Sequence, residues 1–234
     1  MTTPILLAWS GGKDCLLALQ KLLADPRWRV AGLLTTINRD YRRVAMHGVR
    51  LEVLHAQVAA LELPLIEVLL DWPCSNEAYE AAHSQALIEA RTRWPGIRHC
   101  AFGDLFLEDV RNYRVRQFGR DDWQAVFPLW GEDTATLSRR FVAEGHRAML
   151  CCIDTSQLDA EYCGRHYDAA LLDALPAGVD PCGERGEFHT LSYAGPLFRQ
   201  PLKLRPGESV LRDERFQFTD FLLDSSAPEH DPTR

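Results

Sequence analysis

The stretch Pro4–Asp14, with the sequence PILLAWSGGKD, decides the fold of this chain. Its first six residues form an apolar run of the length of a buried strand, and a Ser-Gly-Gly turn interrupts that run. Leucines follow at helical spacing, namely Leu16, Leu17, Leu19, Leu22 and Leu23. The chain is therefore predicted to open with a strand, a glycine-rich loop and a helix.

The loop Ser10–Asp14 has the residue types of an anion site. Glycines let the backbone approach an oxyanion closely, and the first amides of a helix have no partner within the helix. Lys13 adds a positive charge and Ser10 a hydroxyl donor, while Asp14 is suited to hold a divalent cation or to cap the helix. The spacing differs from the Gly-x4-Gly-Lys-Ser/Thr loop of P-loop NTPases. We favour a phosphate site over an ordinary strand-to-helix turn.

Strand and helix signals alternate through the first half of the chain, which implies an α/β fold with parallel strands and helices on both faces of a sheet. The alternation of strand and helix signals becomes irregular after about residue 128. We predict two domains, residues 1–130 and residues 131–224, followed by a disordered tail, residues 225–234. The predicted elements of the first domain are the strands Pro4–Ala8, Val30–Ile37, Pro64–Leu70 and His99–Phe102 and the helices Val49–Leu61 and Asn76–Arg93.

The second domain is predicted to mix helices with short strands. Thr134 is a candidate cap of its first helix, and the segment Pro176–Glu187, dense in glycine, proline and charge, is predicted to be a loop. The other predictions are helices at Thr134–Glu144 and Ala169–Leu175 and strands at Ala148–Ile153, Phe188–Leu191, Pro201–Leu204, Val210–Arg212 and Arg215–Leu222.

Composition excludes several classes of function. The net charge of -7 makes the chain a poor general binder of nucleic acid. A local cluster, Arg111, Arg114, Arg116 and Arg120, is interpreted either as a solvated helix face or as a nucleic-acid patch. No apolar run approaches the roughly 20 residues of a membrane span, and no export signal opens the sequence, so a cytoplasmic protein is expected.

The seven cysteines lack a CxxC pair, so neither a disulfide framework nor a structural zinc site is expected. Cys74 and Cys182 stand in polar segments and are candidate nucleophiles for a sulfur-transfer reaction.

Further candidates follow predicted strands or lie in the glycine-rich loop. His47 is placed either near the phosphates or as a helix cap, and Asp104, after Gly103, as a metal or ribose contact or as part of a plain turn. Glu184, Glu187 and His189 fall within six residues, a spacing suited to binding an ammonium ion, removing its proton or holding a magnesium ion. The alternative for these three is a hairpin with surface charges.

The segment Leu7–Asp14 resembles the SGGKDS loop of the PP-loop ATP pyrophosphatases, with Cys15 in place of the final serine. Asp180–Thr190 is similar to the GxxGE(F/Y)HT segment of the diphthine–ammonia ligase family. Gly103-Asp104 and Pro128–Gly131 stand where that family carries similar segments, so the resemblance runs from about residue 4 to residue 198. It implies a Rossmann-like (adenine nucleotide alpha hydrolase-like) parallel sheet domain and a smaller mixed α/β C-terminal domain, in a bacterial-type member.

The resemblance implies an ATP-dependent amide-forming ligase that cleaves ATP to AMP and pyrophosphate through an adenylylated acceptor. The expected cofactors are ATP and Mg2+, with an ammonium or amine donor, an unidentified small-molecule or protein acceptor and a homodimer. The alternatives are a tRNA-thiolating PP-loop enzyme and a non-catalytic nucleotide-binding protein. The expected roles are catalytic for Lys13, Asp14, Glu184, Glu187 and His189, metal-binding for Asp14 and Asp104, and ATP-binding for Ser10, Gly11, Gly12, Lys13, Asp14, Cys15, His47, Gly103 and Asp104.

Overall fold

Two β-sheets organise the protein in a computed structural model that describes residues 2–224. Six strands form the first sheet and four form the second. The predicted tail at 225–234 lies outside the described residues. None of the helices within 2–224 is long and apolar enough to cross a membrane.

The first sheet is parallel apart from one short strand. Its elements, in chain order, are β1 (Thr3–Ala8), α1 (Lys13–Ala24), β2 (Trp28–Asn38), β3 (Arg43–Val44), α2 (Leu51–Leu61), β4 (Leu65–Leu70), α3 (Asn76–Arg93), β5 (His99–Ala101), α4 (Glu108–Arg120) and β6 (Gln124–Val126). β1 lies at the centre, between β2 and β5, while β4 pairs with β2, β6 pairs with β5, and β3 runs antiparallel to the end of β2.

This strand order makes the chain change direction at β1. It runs outward from β1 through β2 to β4 and then returns to β5 on the other side of β1. In parallel α/β sheets, the connections on either side of such a reversal diverge and leave a crevice at the carboxyl ends of the strands. The crevice here lies between the loop after β1 and the loop after β5.

The second sheet is antiparallel, in the order β8-β7-β10-β9. Its part of the chain comprises α5 (Thr134–Ala143), β7 (Arg147–Asp154), a short 3-10 helix (Ala160–Tyr162), α6 (Ala169–Ala174), β8 (Phe188–Ala194), β9 (Leu204–Arg212) and β10 (Phe216–Leu223).

One apolar core joins the two sheets. The same cluster of buried side chains contains Leu7 and Leu16 from the first sheet and its helix and Leu150, Phe188 and Leu191 from the second. Because each of these leucines is fully buried, each contributes on the order of 2 kcal/mol to the free energy of unfolding. The domain boundary near residue 130 stays a prediction, since this core is continuous across it.

The predicted α/β class is confirmed, and the predicted bounds of α3 coincide with the observed ones. Two details are wrong. Asp133, and not Thr134, caps α5, because its carboxylate accepts the amide of Thr136. The strands predicted at Pro201–Leu204 and Val210–Arg212 are replaced by the single strand β9, which includes Pro206. Since β9 is an edge strand, a residue without an N–H is tolerated there.

Sequence patterns missed β3, β6 and α4. Only Gln117 and Phe118 are buried on α4, so its apolar stripe is too thin to show a helical period. The arginine cluster lies on this helix. Three of its members have partners on the protein. Arg120 pairs with Glu80, the guanidinium of Arg111 lies 4.7 Å from the ring centre of Trp130, and that of Arg114 lies 4.9 Å from the ring centre of Phe102.

Candidate functional site

The loop after β1 and the loop after β5 meet at the crevice. Gly103 approaches the first turn of α1 so closely that a Cβ at this position would lie 3.0 Å from the amide nitrogen of Cys15. The amide of Gly131 donates to the carbonyl of Leu105 at 2.8 Å, which brings Pro128–Gly131 to the same place. The structure therefore brings Ser10–Asp14 and Gly103-Asp104 together, as their positions after predicted parallel strands indicate, and places Pro128–Gly131 beside them.

The glycine-rich loop makes a tight turn into α1. Gly11 has φ +84°, in the left-handed region that favours glycine, and Gly12 is the N-cap of α1 without a side-chain cap. The amide of Gly12 donates to Oγ of Ser10 at 3.4 Å, and the thiol of Cys15 donates to the carbonyl of Gly12 at 3.0 Å. Burial raises the pKa of Cys15 to about 11, so this thiol is a neutral donor where the similar motif carries a hydroxyl.

Lys13 is buried, with 1% of its surface exposed. Its ammonium lies 2.8 Å from both carboxylate oxygens of Asp14 and donates to the carbonyl of Cys182. The rings of Tyr167 and Phe188 lie 5.6 and 5.7 Å from the same nitrogen. Burial lowers the pKa of Lys13, but the charge of Asp14, the hydrogen bond to Asp14 and the charges of further nearby groups together outweigh it and hold that pKa above its ordinary value. The lysine therefore carries a fixed charge between the two sheets.

The second sheet completes the loop. Oγ1 of Thr190, on β8, accepts the amide of Lys13 at 3.0 Å, and the amide of Ser192 donates to the carbonyl of Gly11 at 2.8 Å. The side-chain amide of Gln57, on α2, also bonds to Gly11. Sequence reasoning missed Gln57 and Ser192, since a buried polar residue in an apolar pattern gives no signal of its partner. Thr190 was noticed only as the end of a motif.

Two histidines, His47 and His189, lie beside the glycine-rich loop. The ring centres of His47 and His189 are 4.6 Å apart, and a Cβ on Gly12 would lie 3.1 Å from Nε2 of His47. Burial lowers the pKa of both rings, to about 4 for His189, so both are neutral near pH 7. The helix-cap interpretation of His47 is wrong, because Arg50 is the N-cap of α2.

Glu184 lies in the loop before β8, and its side chain reaches the loop after β5. Its Oε1 accepts the amides of Leu105 and Phe106 at 2.7 and 3.4 Å. Burial raises the pKa of Glu184 to about 7, the Leu105 amide opposes that rise, and the charges of Asp14 and Asp104 add to it. A carboxyl group that titrates near neutrality is suited to accept or donate a proton.

Glu187 does not face the crevice. Its side chain is buried and turns into its own loop, where its two oxygens accept the amides of Asp180 and Arg185 at 2.9 Å each. The expectation that Glu184, Glu187 and His189 handle one ligand together is wrong, because the three side chains have different partners. Glu184 points to Leu105, Glu187 points into its own loop, and His189 lies against His47. The hairpin-with-surface-charges alternative fails for Glu187 too, since its carboxylate is buried.

The two candidate nucleophilic thiols lie in different surroundings. Cys182 is buried and donates to the carbonyl of Thr134 at 3.4 Å, and burial raises its pKa to about 12. The interpretation of Cys182 as a candidate nucleophile is therefore disfavoured, since a protonated, enclosed thiol is a weak nucleophile. Cys74 lies just before α3 and donates to the carbonyl of Ser75. All seven cysteines are free.

The carboxylates beside the crevice fit a partial ligand set for Mg2+. Among residues 2–224, no group of three or more His, Cys, Asp or Glu side chains is arranged to hold a metal on its own. Oδ2 of Asp104 is buried without a hydrogen bond inside the described part of the chain, and Nε of Arg114 lies 3.8 Å away. Mg2+ commonly takes one or two carboxylates and fills its remaining positions with phosphate oxygens and water. Asp14 and Asp104 suit that arrangement.

Two comparisons with known proteins found similarities. Residues 133–219 match the family model described as diphthamide synthase C-terminal domain, a range that contains α5, the loop 180–187 and β7 to β9. The chain is 26% identical over 137 residues to a protein of Danio rerio named diphthine–ammonia ligase, which covers 54% of this chain and 52% of that relative. The chain thus spans about half the length of the curated relative it matches. On these two matches, residues 133–219 are similar to the diphthamide synthase C-terminal domain, and about half of the chain is similar to a diphthine–ammonia ligase.

Proposed function

We propose that this protein is an ATP-dependent ligase that binds ATP at Ser10–Asp14 and releases AMP and pyrophosphate. The observation that carries the proposal is the position of this loop at the reversal of strand order, where Lys13, two neutral histidines and the carboxylates of Asp104 and Glu184 converge on it. The name of the Danio rerio relative, diphthine–ammonia ligase, supports the same class of reaction.

The loop residues would hold the triphosphate. Backbone amides at the start of α1 and the charge of Lys13 stabilise the negative charge that develops on the leaving pyrophosphate. Neutral His47 and His189 donate hydrogen bonds to phosphate oxygens without adding repulsion to Lys13. Asp14 and Asp104 would hold Mg2+, which when bound neutralises part of the phosphate charge.

The acceptor reaction would take place on the Glu184 side of the crevice. An acceptor oxygen attacks the α-phosphorus of ATP and forms a bond to it. The bond between this phosphorus and the pyrophosphate breaks, so AMP becomes attached to the acceptor. Glu184 then takes a proton from ammonium, and the ammonia formed displaces AMP to give the amide. Glu184 suits this role better than Glu187, because its pKa of about 7 lies near the working pH and its side chain is half-buried at the crevice.

The products of ATP turnover test the proposal. The protein is incubated with ATP, Mg2+, ammonium chloride and a fractionated cell extract, and AMP, ADP and pyrophosphate are measured by mass spectrometry. Equal amounts of AMP and pyrophosphate that depend on the extract are expected. Formation of ADP would contradict the proposal, and tight ATP binding without any turnover would favour the non-catalytic nucleotide-binding protein. A requirement for the thiol of Cys74 or Cys182 would favour sulfur transfer.

A further inference from the structure

Gln57 is a fully buried amide whose hydrogen bonds all leave its own helix. Its Nε2 donates to the carbonyl of Gly11 at 2.9 Å and to the carbonyl of Ser192 at 2.6 Å. Its Oε1 accepts the indole N–H of Trp9 at 3.4 Å. One side chain on α2 therefore connects the end of β1, the glycine-rich loop and β8.

Such an arrangement has a cost that packing alone would avoid. Burying an amide is unfavourable unless its donors and acceptor are satisfied, and an apolar side chain would fill the same volume without that requirement. The neighbouring buried positions of α2, among them Val53, Leu54 and Ala60, are apolar. The amide at position 57 is thus explained by its partners and not by the helix.

Its partners point to the loop's binding function. A carbonyl oxygen directed into an anion site repels phosphate, and the carbonyl of Gly11 is instead held by two donors, Nε2 of Gln57 and the amide of Ser192. The side chain of Gln57 also occupies the space beside Gly11, where a Cβ would lie 2.6 Å from its Oε1. Both contacts keep Gly11 in the left-handed conformation that turns the chain into α1.

We propose that Gln57 is a positioning residue of the nucleotide loop. It holds the carbonyl oxygen of Gly11 toward β8. The loop then directs its hydrogen-bond donors, and not this carbonyl, at the phosphates. Its contacts are to the backbone behind the loop, and it acts on the ligand only through the loop's shape. The identity of the ligand rests on the proposed function; the positioning role does not.

The first test compares two buried glutamines. Gln57→Leu removes both bonds to carbonyl oxygens at nearly constant volume, and we expect ATP affinity, measured by calorimetry, to fall about tenfold, the effect of roughly 1.4 kcal/mol from two lost hydrogen bonds. Gln117→Leu is the matched control, because Gln117 is buried on α4 and neither of its amide atoms is hydrogen-bonded within the described structure. Unchanged ATP affinity in Gln57→Leu, with only a lower melting temperature, would overturn the proposal.

The second test adds a pH readout in a variant of the same shape. Gln57→Glu places a carboxylate against two carbonyl oxygens, and protonation of that carboxyl restores one donor. We expect its ATP affinity relative to wild type to recover as the pH falls, whereas a purely structural role predicts a constant ratio. This variant also serves if Gln57→Leu does not fold.

The third test does not depend on ATP. Hydrogen exchange of the free protein reports the amides of Lys13 and Ser192, which are bonded to Thr190 and Gly11. In Gln57→Leu both amides are expected to exchange about tenfold faster, while the amide of Leu33 in β2 exchanges at the wild-type rate. If wild type binds no ATP, the proposed function fails, yet this comparison still decides the role of Gln57: equal exchange in the variant and wild type would overturn it.

Discussion

The two loops that meet at the candidate site, Ser10–Asp14 and 180–187, are held in shape by different partners. The first loop is fixed from outside, by Gln57 on α2 and by Thr190 and Ser192 on β8. The second is fixed mainly from within, because Glu187 accepts two amides of its own loop and Asp180 accepts the amide of Cys182 at 2.7 Å.

This difference between the two loops predicts that substitutions near the first affect mainly ligand binding, whereas substitutions within the second affect mainly stability. Side chains that fix a loop from outside set the position of that loop, so substitutions of these side chains are expected to change ligand affinity more than folding. A loop that satisfies its own amides with buried carboxylates uses those side chains structurally, so substitutions within it change folding more than ligand affinity. The predictions below test this division, from the largest expected effect to the smallest.

Glu187→Ala is expected to lower the free energy of unfolding by about 2–6 kcal/mol, because the amides of Asp180 and Arg185 lose their acceptors at a cost of roughly 1–3 kcal/mol each. Urea denaturation measures the change. Glu187→Gln, which keeps one acceptor oxygen, is the control and is expected to lose about half as much. Wild-type stability together with lost turnover would contradict the division and return Glu187 to the acceptor chemistry.

Lys13→Ala is expected to weaken ATP binding about ten- to a hundredfold, because a charge-assisted contact to phosphate contributes roughly 1.5–3 kcal/mol. Calorimetry measures the affinity, with Lys21→Ala as the control, since Lys21 lies on the same helix and pairs with Glu132.

The double variant Lys13→Ala/Asp14→Asn separates binding from folding. Removing Lys13 alone leaves the carboxylate of Asp14 without its partner, which destabilises the fold. We expect the second substitution to restore the melting temperature but not the ATP affinity. ATP affinity that recovers together with stability would show that Lys13 acts only through its ion pair.

Thr190→Val is expected to reduce ATP affinity about fivefold, the equivalent of roughly 1 kcal/mol for one hydrogen bond, because the amide of Lys13 loses its acceptor across the two sheets. Thr190→Ser keeps the hydroxyl and is expected to restore the affinity. An effect of equal size in both variants would mean that the methyl group, and not the hydrogen bond, determines the shape of the loop.

Glu184→Gln is expected to change the pH dependence of stability. The folded-state pKa of Glu184 is raised to about 7 from an ordinary value of 4.5, so the folded state binds more protons between these pH values and wild-type stability falls as the pH rises through this range. The variant, measured in the presence of a chelator, is expected to lose that decline. Parallel curves for the two proteins from pH 4.5 to pH 7 would contradict the assignment.

Patterns within a short window predicted much of this fold. The apolar run before Ser10, the leucine period after it and the helical stretch Asn76–Arg93 are local signals, and the structure confirms each of them. The helix α4 was not predicted because only a narrow stripe of its side chains is buried. The strand β9 was predicted as two strands because proline usually interrupts a strand, and only the structure shows that β9 lies at an edge where Pro206 is tolerated.

The sequence by itself determined that a glycine-rich, lysine-containing loop joins the first strand to the first helix, because the residues that specify a turn are adjacent in the chain. Only the tertiary structure decided what surrounds that loop. Gln57 and Ser192 are separated by 135 positions, and Lys13 and Thr190 by 177. Glu184 and Glu187 are the same residue type and lie three positions apart. In the folded protein, Glu184 lies at the crevice, whereas Glu187 is buried inside its own loop. Burial and partnership depend on segments brought together by the core, and no local pattern encodes them.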